Sequence, residues 1–392
     1  MTRLPARLLA DPALVAVLDA IEAGGQRAYL VGGAVRNALL GQRVEDIDIA
    51  TGAHPSEVIR LAEAAGLRPV PTGIEHGTVT VVSGHRGFEV TTFRRDVETD
   101  GRRAVVAFSD RLDEDAQRRD FTMNALYADR AGEIIDPVGG LPDLAARRLR
   151  FVGDARLRIR EDYLRILRFF RFFACYGREA DPQAVAACAA LKDGLLRIAR
   201  ERIGVEMKKL LSASDPVASV RLMKETGVLD LLLPGADAAA LARLVRTEAL
   251  AGMAPGWPRR LAALAGAEDV ADALRLSRAE ARQQVLLRDG LAADWSLDRA
   301  GYRMGAEAGA DLALLRAART GAAPAPDWRE RLAAAARARL PVTAADLSAQ
   351  LQGPALGRGL KAAEDEWIAS GFTLPAAALI DAALLAGEET TG

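Results

Sequence analysis

The sequence predicts an α+β chain, with an N-terminal head on a small mixed sheet followed by an all-helical remainder. Three observations predict it. Short β-like runs alternate with helical patterns over residues 1–140. Strand signals then vanish. The rest is rich in Ala, Leu and Arg at helical spacing, broken by "DPV", "LPG", "APGWP" and "APAPDW". At 392 residues the chain exceeds the ~250–300 at which one hydrophobic core stops growing, so more than one domain is expected.

The head reads in order. "RAYLV" (27–31) is strand-like, "AVRNALL" (34–40) helical, and "DIDIA" (46–50) strand-like again. "PSEVIRLAEAAG" (55–66) is a helix with Pro55 in its first turn and Gly66 past its end. "GTVTVVS" (77–83) and "FEVTTF" (88–93) alternate apolar and polar residues around "GHRG", the pattern of a hairpin. Beyond the head, "EDYLRILRFFRFFACYG" (161–177) reads as one long helix closed by Gly177. No self-similar repeat is visible.

Composition excludes several classes. No apolar run reaches the ~20 residues of a membrane span, and the N-terminal "MTRLPARLLADPALVAVLDAIEAGG" reads as an amphipathic helix rather than a signal peptide. The two cysteines, Cys175 and Cys188, form no CxxC pair, which argues against a disulfide scaffold or zinc site and fits a cytoplasmic protein. The net charge is −1, yet residues 147–209 hold sixteen Lys or Arg against eight Asp or Glu. Such a stripe can neutralise phosphates; a solvated helical face of mixed charge accounts for it as well.

The candidate chemistry begins at "EDIDIA" (45–50). On a strand, residues two apart point to one face, so Asp46 and Asp48 project together while Ile47 and Ile49 point the other way. Paired carboxylates repel unless a cation neutralises them, and Mg²⁺ accepts one or two carboxylates plus phosphate oxygens. An isolated DxD also occurs as a polar edge-strand face. Upstream, "GGAVR" follows a strand and opens a helix. Gly32 and Gly33 let backbone amides approach an anion, and Arg36 one turn on can hold a phosphate; the glycines also suit a plain strand-to-helix turn. Glu89 in "FEVTTFR" completes an acidic cluster if its strand neighbours the DxD strand, and is otherwise a solvent-facing residue. "RRDFTMNALY" (118–127) gathers Arg118, Arg119, Asp120 and Asn124, arginines for a triphosphate and Asp or Asn for ribose hydroxyls. "IIDPVGGLPDL" (134–144) suits a hinge. In "EDYLR", Asp162 and Arg165 share a helix face at i, i+3, which on residues alone reads first as a surface ion pair.

Seven motifs in order, "LVGGAVRNALLG…EDIDIAT", "TGIEHGTVTV", "EVTTFR", "RRDFTMNAL", "DPVGGLPDL", "REDYLRILRFFRF" and "ARERIGVEMKKLL", resemble the class II, bacterial-type tRNA nucleotidyltransferases. These are the CCA-adding branch of the polymerase-beta-like nucleotidyltransferase superfamily. The resemblance is dense over residues 28–211. It implies a catalytic head (1–140), a helical neck with a nucleotide-base template (141–211), and a helical body and tail that bind tRNA (212–392). It implies that Asp46 and Asp48 hold two catalytic Mg²⁺ ions, with Glu89 joining the catalytic carboxylates. Gly32, Gly33, Arg36, Arg119, Asp120, Asn124 and Arg168 would bind the nucleotide. Asp162 and Arg165 would be the protein template that hydrogen-bonds the edge of CTP or ATP. Glu161, Arg200, Glu201 and Arg202 would prop that template. The implied reaction is in-line attack of the tRNA 3′-hydroxyl on the nucleotide α-phosphate, with release of pyrophosphate.

The family usually carries "VRD" where this chain has "VRN", so Asn37 removes a carboxylate beside the phosphate loop. His54, His76 and His85 need no catalytic role, and no adjacent His-Asp pair signals a phosphohydrolase domain. Poly(A) polymerases share the head and template motifs, but "TGIEHGTVTV" looks like the CCA-adding version. CC-adding relatives have a shortened loop after "TTFR", whereas "RRDVETDGRRAVVAF" (94–108) keeps a "DGRR" element. A non-catalytic RNA-binding protein fits the intact DxD poorly. "LQGPALGRGLKAAEDEW" (351–367) resembles the family's tail segment, where main-chain amides suit a backbone phosphate; an ordinary helix start explains it as well. Trp257, Trp295, Trp328 and Trp367 read as packing residues. The sequence leaves open whether the chain is a monomer or a homodimer.

Overall fold

The computed structural model describes residues 3–99 and 104–388; the "DGRR" element, Asp100 to Arg103, lies outside them. The chain divides into two compact units. One comprises Met1–Glu206 with Ala218–Leu231, the other Met207–Val217 with Leu232–Gly392.

The first unit is α+β. Its strands are β1 (Ala28–Val31), β2 (Asp48–Thr51), β3 (Arg68–Gly73), β4 (Thr78–Ser83), β5 (Arg86–Thr92), β6 (Arg94–Thr99), β7 (Ala104–Phe108), β8 (Tyr127–Ala128), β9 (Ile134–Ile135), β10 (Arg148–Leu149) and β11 (Glu179–Ala180). Seven form one sheet in the order β3-β4-β5-β2-β1-β8-β9. Only β2–β5 is a parallel pair in it, so the sheet is mixed. Every residue of β1 is buried, as a central strand covered on both faces requires. The β4–β5 hairpin closes Ser83 onto Arg86 through Gly84 and His85, both at positive φ, the geometry that matches strand twist in a two-residue turn.

Four features depart from the sequence expectation. First, β2 starts at Asp48 rather than Asp46. Its partner β1 ends at Val31, which pairs with Asp48, and the chain then swings away through Gly32, so Asp46 has no β1 residue opposite it. Second, β6 and β7 form their own two-stranded sheet where a polar loop was expected, and β3 adds a strand at the sheet edge. Third, the stretch after residue 140 is not all helical, because β10 pairs in parallel with β11. Fourth, residues 161–177 are not one helix. Helices Ala155–Glu161 and Arg165–Tyr176 are separated at Asp162, whose backbone is extended at φ −152°, ψ 105°. Its Oδ1 accepts from Leu164 N at 3.0 Å and its carbonyl from Arg165 N at 2.9 Å, a side-chain turn that competes with helix continuation.

The second unit is helical. One core gathers Leu244, Leu287, Leu312, Leu314, Trp328 and Leu332; a second gathers Val342, Leu347, Ala363, Trp367, Leu379 and Ala383. Trp328 and Trp367 are thus packing residues. In the tail, a Cβ at Gly359 would lie 2.8 Å from the Ala383 carbonyl oxygen, so this glycine permits close approach of helices Gly353–Ala369 and Ala376–Glu388. Among the described residues no helix is long and apolar enough to cross a membrane.

Candidate active site

The site is built where β1 hands over to a helix. Val31 is buried; Gly32 follows at φ 66°, ψ −121° and leads into helix Gly33–Leu39. That left-handed φ favours glycine, and an added Cβ would meet the Arg119 Nη1 at 3.4 Å. Asp48 lies beside this turn, opposite Val31 on one side and in register with Glu89 of β5 on the other. The adjacency that a role for Glu89 required is therefore present. Burial, reinforced by the negative charges of Glu89 and Asp46, pushes the Asp48 carboxyl above the usual carboxylate range, while Arg119 opposes the shift. Asp46 is exposed and precedes the strand, so the two aspartates are not held by one strand's alternation, although their charges still interact. Among the described residues no three His, Cys, Asp or Glu side chains gather closely enough to hold an ion. The hard oxygens of Asp46 and Asp48 nonetheless match what Mg²⁺ accepts alongside phosphate oxygens.

Arg119 is fixed by two residues that the sequence did not single out. Its Nε donates to Asp115 Oδ2 at 3.2 Å and to the Tyr127 hydroxyl at 3.0 Å, and its Nη2 donates to Asp115 Oδ2 at 2.9 Å. The Tyr127 hydroxyl in turn donates to Asp115 at 2.7 Å. Burial raises the Asp115 carboxyl, but Arg119, the Tyr127 hydroxyl and Arg118 outweigh it and hold it below the usual range. Nη1 is left facing Gly32. The i, i+4 spacing of Asp115 and Arg119 in "DEDAQRR" carried a local signal for this pair; nothing local pointed to Tyr127.

Arg36 turns inward rather than toward a phosphate. It is 5% exposed. Nε and Nη2 donate to Asn37 Oδ1 at 3.1 and 2.9 Å, Nη2 donates to the Tyr176 hydroxyl at 2.9 Å, and Nη1 donates to Asn124 Oδ1. The guanidinium stacks 3.9 Å from the Tyr176 ring centre. Asp120 is also buried and internally satisfied. Oδ1 accepts from Phe121 N at 2.8 Å and Asn124 Nδ2 at 3.0 Å; Oδ2 accepts from Arg168 Nε at 2.9 Å and from its Nη2. Asp120, Asn124 and Arg168 thus bind one another in place of an open ribose-facing edge.

Asn37 sets the charge around Arg36. The hydrogen-bond acceptors of Arg36 among the described residues are neutral. Asn37→Asp would turn two of these bonds, already donated by a cation, into a two-point ion pair with a carboxylate. We expect it to raise the melting temperature by about 2 °C in a thermal melt. An unchanged or lower value would show that Asn37 does not set the environment of Arg36.

Asp162 and Arg165 do not share a helix, but the motifs that should prop them do reach them. Asp162 Oδ2 accepts from Arg202 Nη2 at 2.7 Å. Arg165 pairs with Glu161 and donates to the Arg158 carbonyl at 2.8 Å. Arg200 and Glu201 open the helix Arg200–Leu211 that carries Arg202. From the same helix Glu206 accepts from Arg171 Nε at 2.6 Å, a second tie to helix Arg165–Tyr176.

Residues 28–150 match the poly A polymerase head domain family, and residues 179–256 match the family described as the probable RNA and SrmB-binding site of polymerase A. The crystal structure of a Bacillus stearothermophilus CCA-adding enzyme in complex with CTP superposes with a TM-score of 0.74 at 31% identity. The match covers 91% of this chain and 92% of that one. The chain belongs to the CCA-adding enzyme family. Curated CCA-adding relatives include that of Leuconostoc citreum, 44% identical over 221 residues, 56% of this chain and 54% of the relative. The mitochondrial CCA tRNA nucleotidyltransferase 1 of Danio rerio is 42% identical over 222 residues, 55% and 51% of the two chains. The matched stretch spans about half the length of these curated relatives. The Thermotoga maritima CCA-adding enzyme complexed with tRNA shares the fold, with a TM-score of 0.67 at 20% identity over 98% of this chain and 99% of that one.

Proposed function

We propose that the chain completes the 3′ end of tRNA, adding CCA from CTP and ATP with release of pyrophosphate. The observation that carries this reading is the edge where Asp48 lies beside the Gly32–Gly33 turn, with Asp46 close enough for its charge to act on Asp48, and with Arg119 held by Asp115 and Tyr127 so that Nη1 faces the same turn. Two acids and a fixed arginine around a strand-to-helix turn suit a nucleoside triphosphate: main-chain amides and Arg119 take the phosphates, and the acids take a divalent cation. The B. stearothermophilus relative, which has CTP bound, supports a nucleotide substrate.

Asp46 and Asp48 would hold magnesium, which when bound neutralises the triphosphate and lowers the pKa of the attacking hydroxyl. The chain's own part is positioning. Arg119 and the turn orient the triphosphate for in-line attack. The bond from the tRNA 3′-oxygen to the α-phosphorus forms as the α–β phosphoanhydride breaks; pyrophosphate leaves and the hydroxyl proton passes to water. Glu89, in register with Asp48, adds negative potential on the cation side. Asp162 and Arg165, propped by Arg202 and Glu161, would read the base edge with acceptors beside donors. In this reading residues 1–140 form the catalytic head, 141–211 the neck, and 212–392 the body and tail that hold tRNA.

The test is to incubate the purified protein with tRNA lacking its 3′ end, one nucleotide mixture at a time. CCA addition gives products three nucleotides longer, stopping there. Products one or two longer mark A- or CC-addition, long ladders mark poly(A) synthesis, and unextended tRNA removes the enzymatic reading. In the same assay Arg165→Ala should lower discrimination of CTP and ATP from UTP and GTP by about tenfold or more, the size of a lost charged hydrogen bond, and should change KM less. Unaltered selectivity would remove Arg165 from base readout.

A further inference from the structure

We propose that Asn124 is a positioning residue that couples the phosphate-loop helix Gly33–Leu39 to the first turn of the template helix Arg165–Tyr176. This inference rests on the nucleotide-binding reading above and assigns a role within that site.

Its basis is one unbroken run of hydrogen bonds. Arg36, in helix Gly33–Leu39, donates through Nη1 to Asn124 Oδ1. Asn124 Nδ2 donates to Asp120 Oδ1 at 3.0 Å. Asp120 Oδ2 accepts from Arg168 Nε at 2.9 Å and from Nη2, and Arg168 stands one turn after Arg165. All the links are buried or partly buried, and Asn124 itself is 6% exposed. Water therefore competes poorly for them, and displacement of one member is felt by the next.

The chemistry at the middle link admits few side chains. The group must accept from a guanidinium on one side and donate to a carboxylate on the other. A carboxamide does both at once. A carboxylate can accept from Arg36 but offers Asp120 only like charge, and an alanine leaves both neighbours short of a partner.

The last turn of the template helix has a separate tie, from Arg36 Nη2 to the Tyr176 hydroxyl at 2.9 Å. The two arms diverge from one guanidinium, which lies under the turn: a Cβ added at Gly33 would be 3.7 Å from Arg36 Nη2. A triphosphate seated on Gly32 and Gly33 bears on that helix. The Asn124 arm passes its effect to Arg168 and hence to the turn that carries Arg165. The Tyr176 arm reaches the far end and, through Phe172 at 5.2 Å from the same guanidinium, the middle of the helix, with no hydrogen bond to its first turn.

The experiment is amide hydrogen exchange of the full chain with and without CTP, on wild type and Asn124→Asp, which keeps the side chain's shape. In wild type CTP should slow exchange in residues 32–39, 165–169 and 173–176. In N124D it should still slow 32–39 and 173–176, but protection of 165–169 should fall at least threefold. CTP-dependence separates this from a merely structural defect, which changes exchange equally without nucleotide. Arg168→Lys, which breaks the same run from the helix side, should behave alike and serves if N124D does not fold. Full CTP protection of 165–169 in both variants would overturn the coupling alone. No protection of 32–39 in wild type would overturn the nucleotide-binding reading, and the coupling with it.

Discussion

Replacing Asp48 with alanine should abolish incorporation of both CTP and ATP, by at least about 10³-fold in kcat, the scale of several kcal/mol of metal-borne charge stabilisation. Asp46→Ala should do the same. Binding of tRNA lacking its 3′ end, measured by filter retention or anisotropy, should change little, because neither carboxylate attracts a polyanion. The reasoning comes from what Asp48 costs the fold. It is partly buried at the first position of β2, with Glu89 in register beside it and Asp46 two residues upstream. Desolvation and like charge both disfavour its ionised form, and Arg119 offsets only part of this. Asp48→Asn keeps the shape and removes the charge. The metal-free protein carrying it should therefore melt at a higher temperature than wild type while being as inactive as D48A. A D48N enzyme that still adds nucleotides would sink the metal-holding role; a D48N protein that melts lower would mean the carboxylate is structural.

Glu248→Ala should be the most destabilising single change in the helical unit, by about 3–5 kcal/mol out of a total that for domains is about 5–15. Glu248 is buried and accepts from Arg259 Nε and from Arg260 Nε and Nη2, the latter two at 2.9 and 2.7 Å. Arg260 is 1% exposed, among the largest fully buried side chains. It also donates to the carbonyls of Leu211, Ala213 and Ser214, tying the Met207–Val217 segment into its unit. Arg259 further donates to Asp311 Oδ1 at 2.8 Å. Without Glu248, the Arg260 guanidinium keeps only carbonyl partners, and that of Arg259 keeps one carboxylate, Asp311, and the Ala254 carbonyl. The urea midpoint should fall sharply, and Glu248→Gln should lie between, since the amide can still accept but carries no charge. A midpoint for E248A within experimental error of wild type would show that water reaches and solvates these arginines.

Much of the head was legible because its signals are local. Strand alternation gave the β4–β5 hairpin, "GHRG" gave its turn, and paired glycines after an apolar strand gave the turn from β1 into helix Gly33–Leu39. The strand reading placed Asp48 in a strand, and the structure has it open β2 between Val31 and Glu89. The burial alternation runs back to Asp46, but the paired strand begins only at Asp48, because a ladder extends only as far as what lies opposite, and β1 stops at Val31. The template pair erred. Asp162 and Arg165 match the i, i+3 spacing of a helix, but the Asp162 side chain closes a turn onto Leu164 N and the helix is interrupted there, and Asp162 then finds Arg202 forty residues away.

Side-chain direction was the least legible quantity. Arg36 lies one turn past the glycines, which suits a phosphate contact. Its guanidinium is instead drawn to Asn124 and Tyr176, 88 and 140 residues distant. Helical spacing assigns a residue to a face, but burial decides what that face packs against. Likewise Asp115 and Arg119 were within reach of a local rule, whereas Tyr127 and the three-way Glu248–Arg259–Arg260 cluster were not.

The sequence by itself determined the α+β class, the position of the acidic edge beside a glycine turn, and the order of motifs that marks the family. These follow from period, turn chemistry and composition, which act over a few neighbouring residues. The tertiary structure alone decided which charges are neutralised and by whom: that Arg119 is locked, Arg36 and Asp120 are internally satisfied, and Asp48 remains under-compensated. A buried charge must find its partner in space, and chain separation places no limit on where that partner comes from.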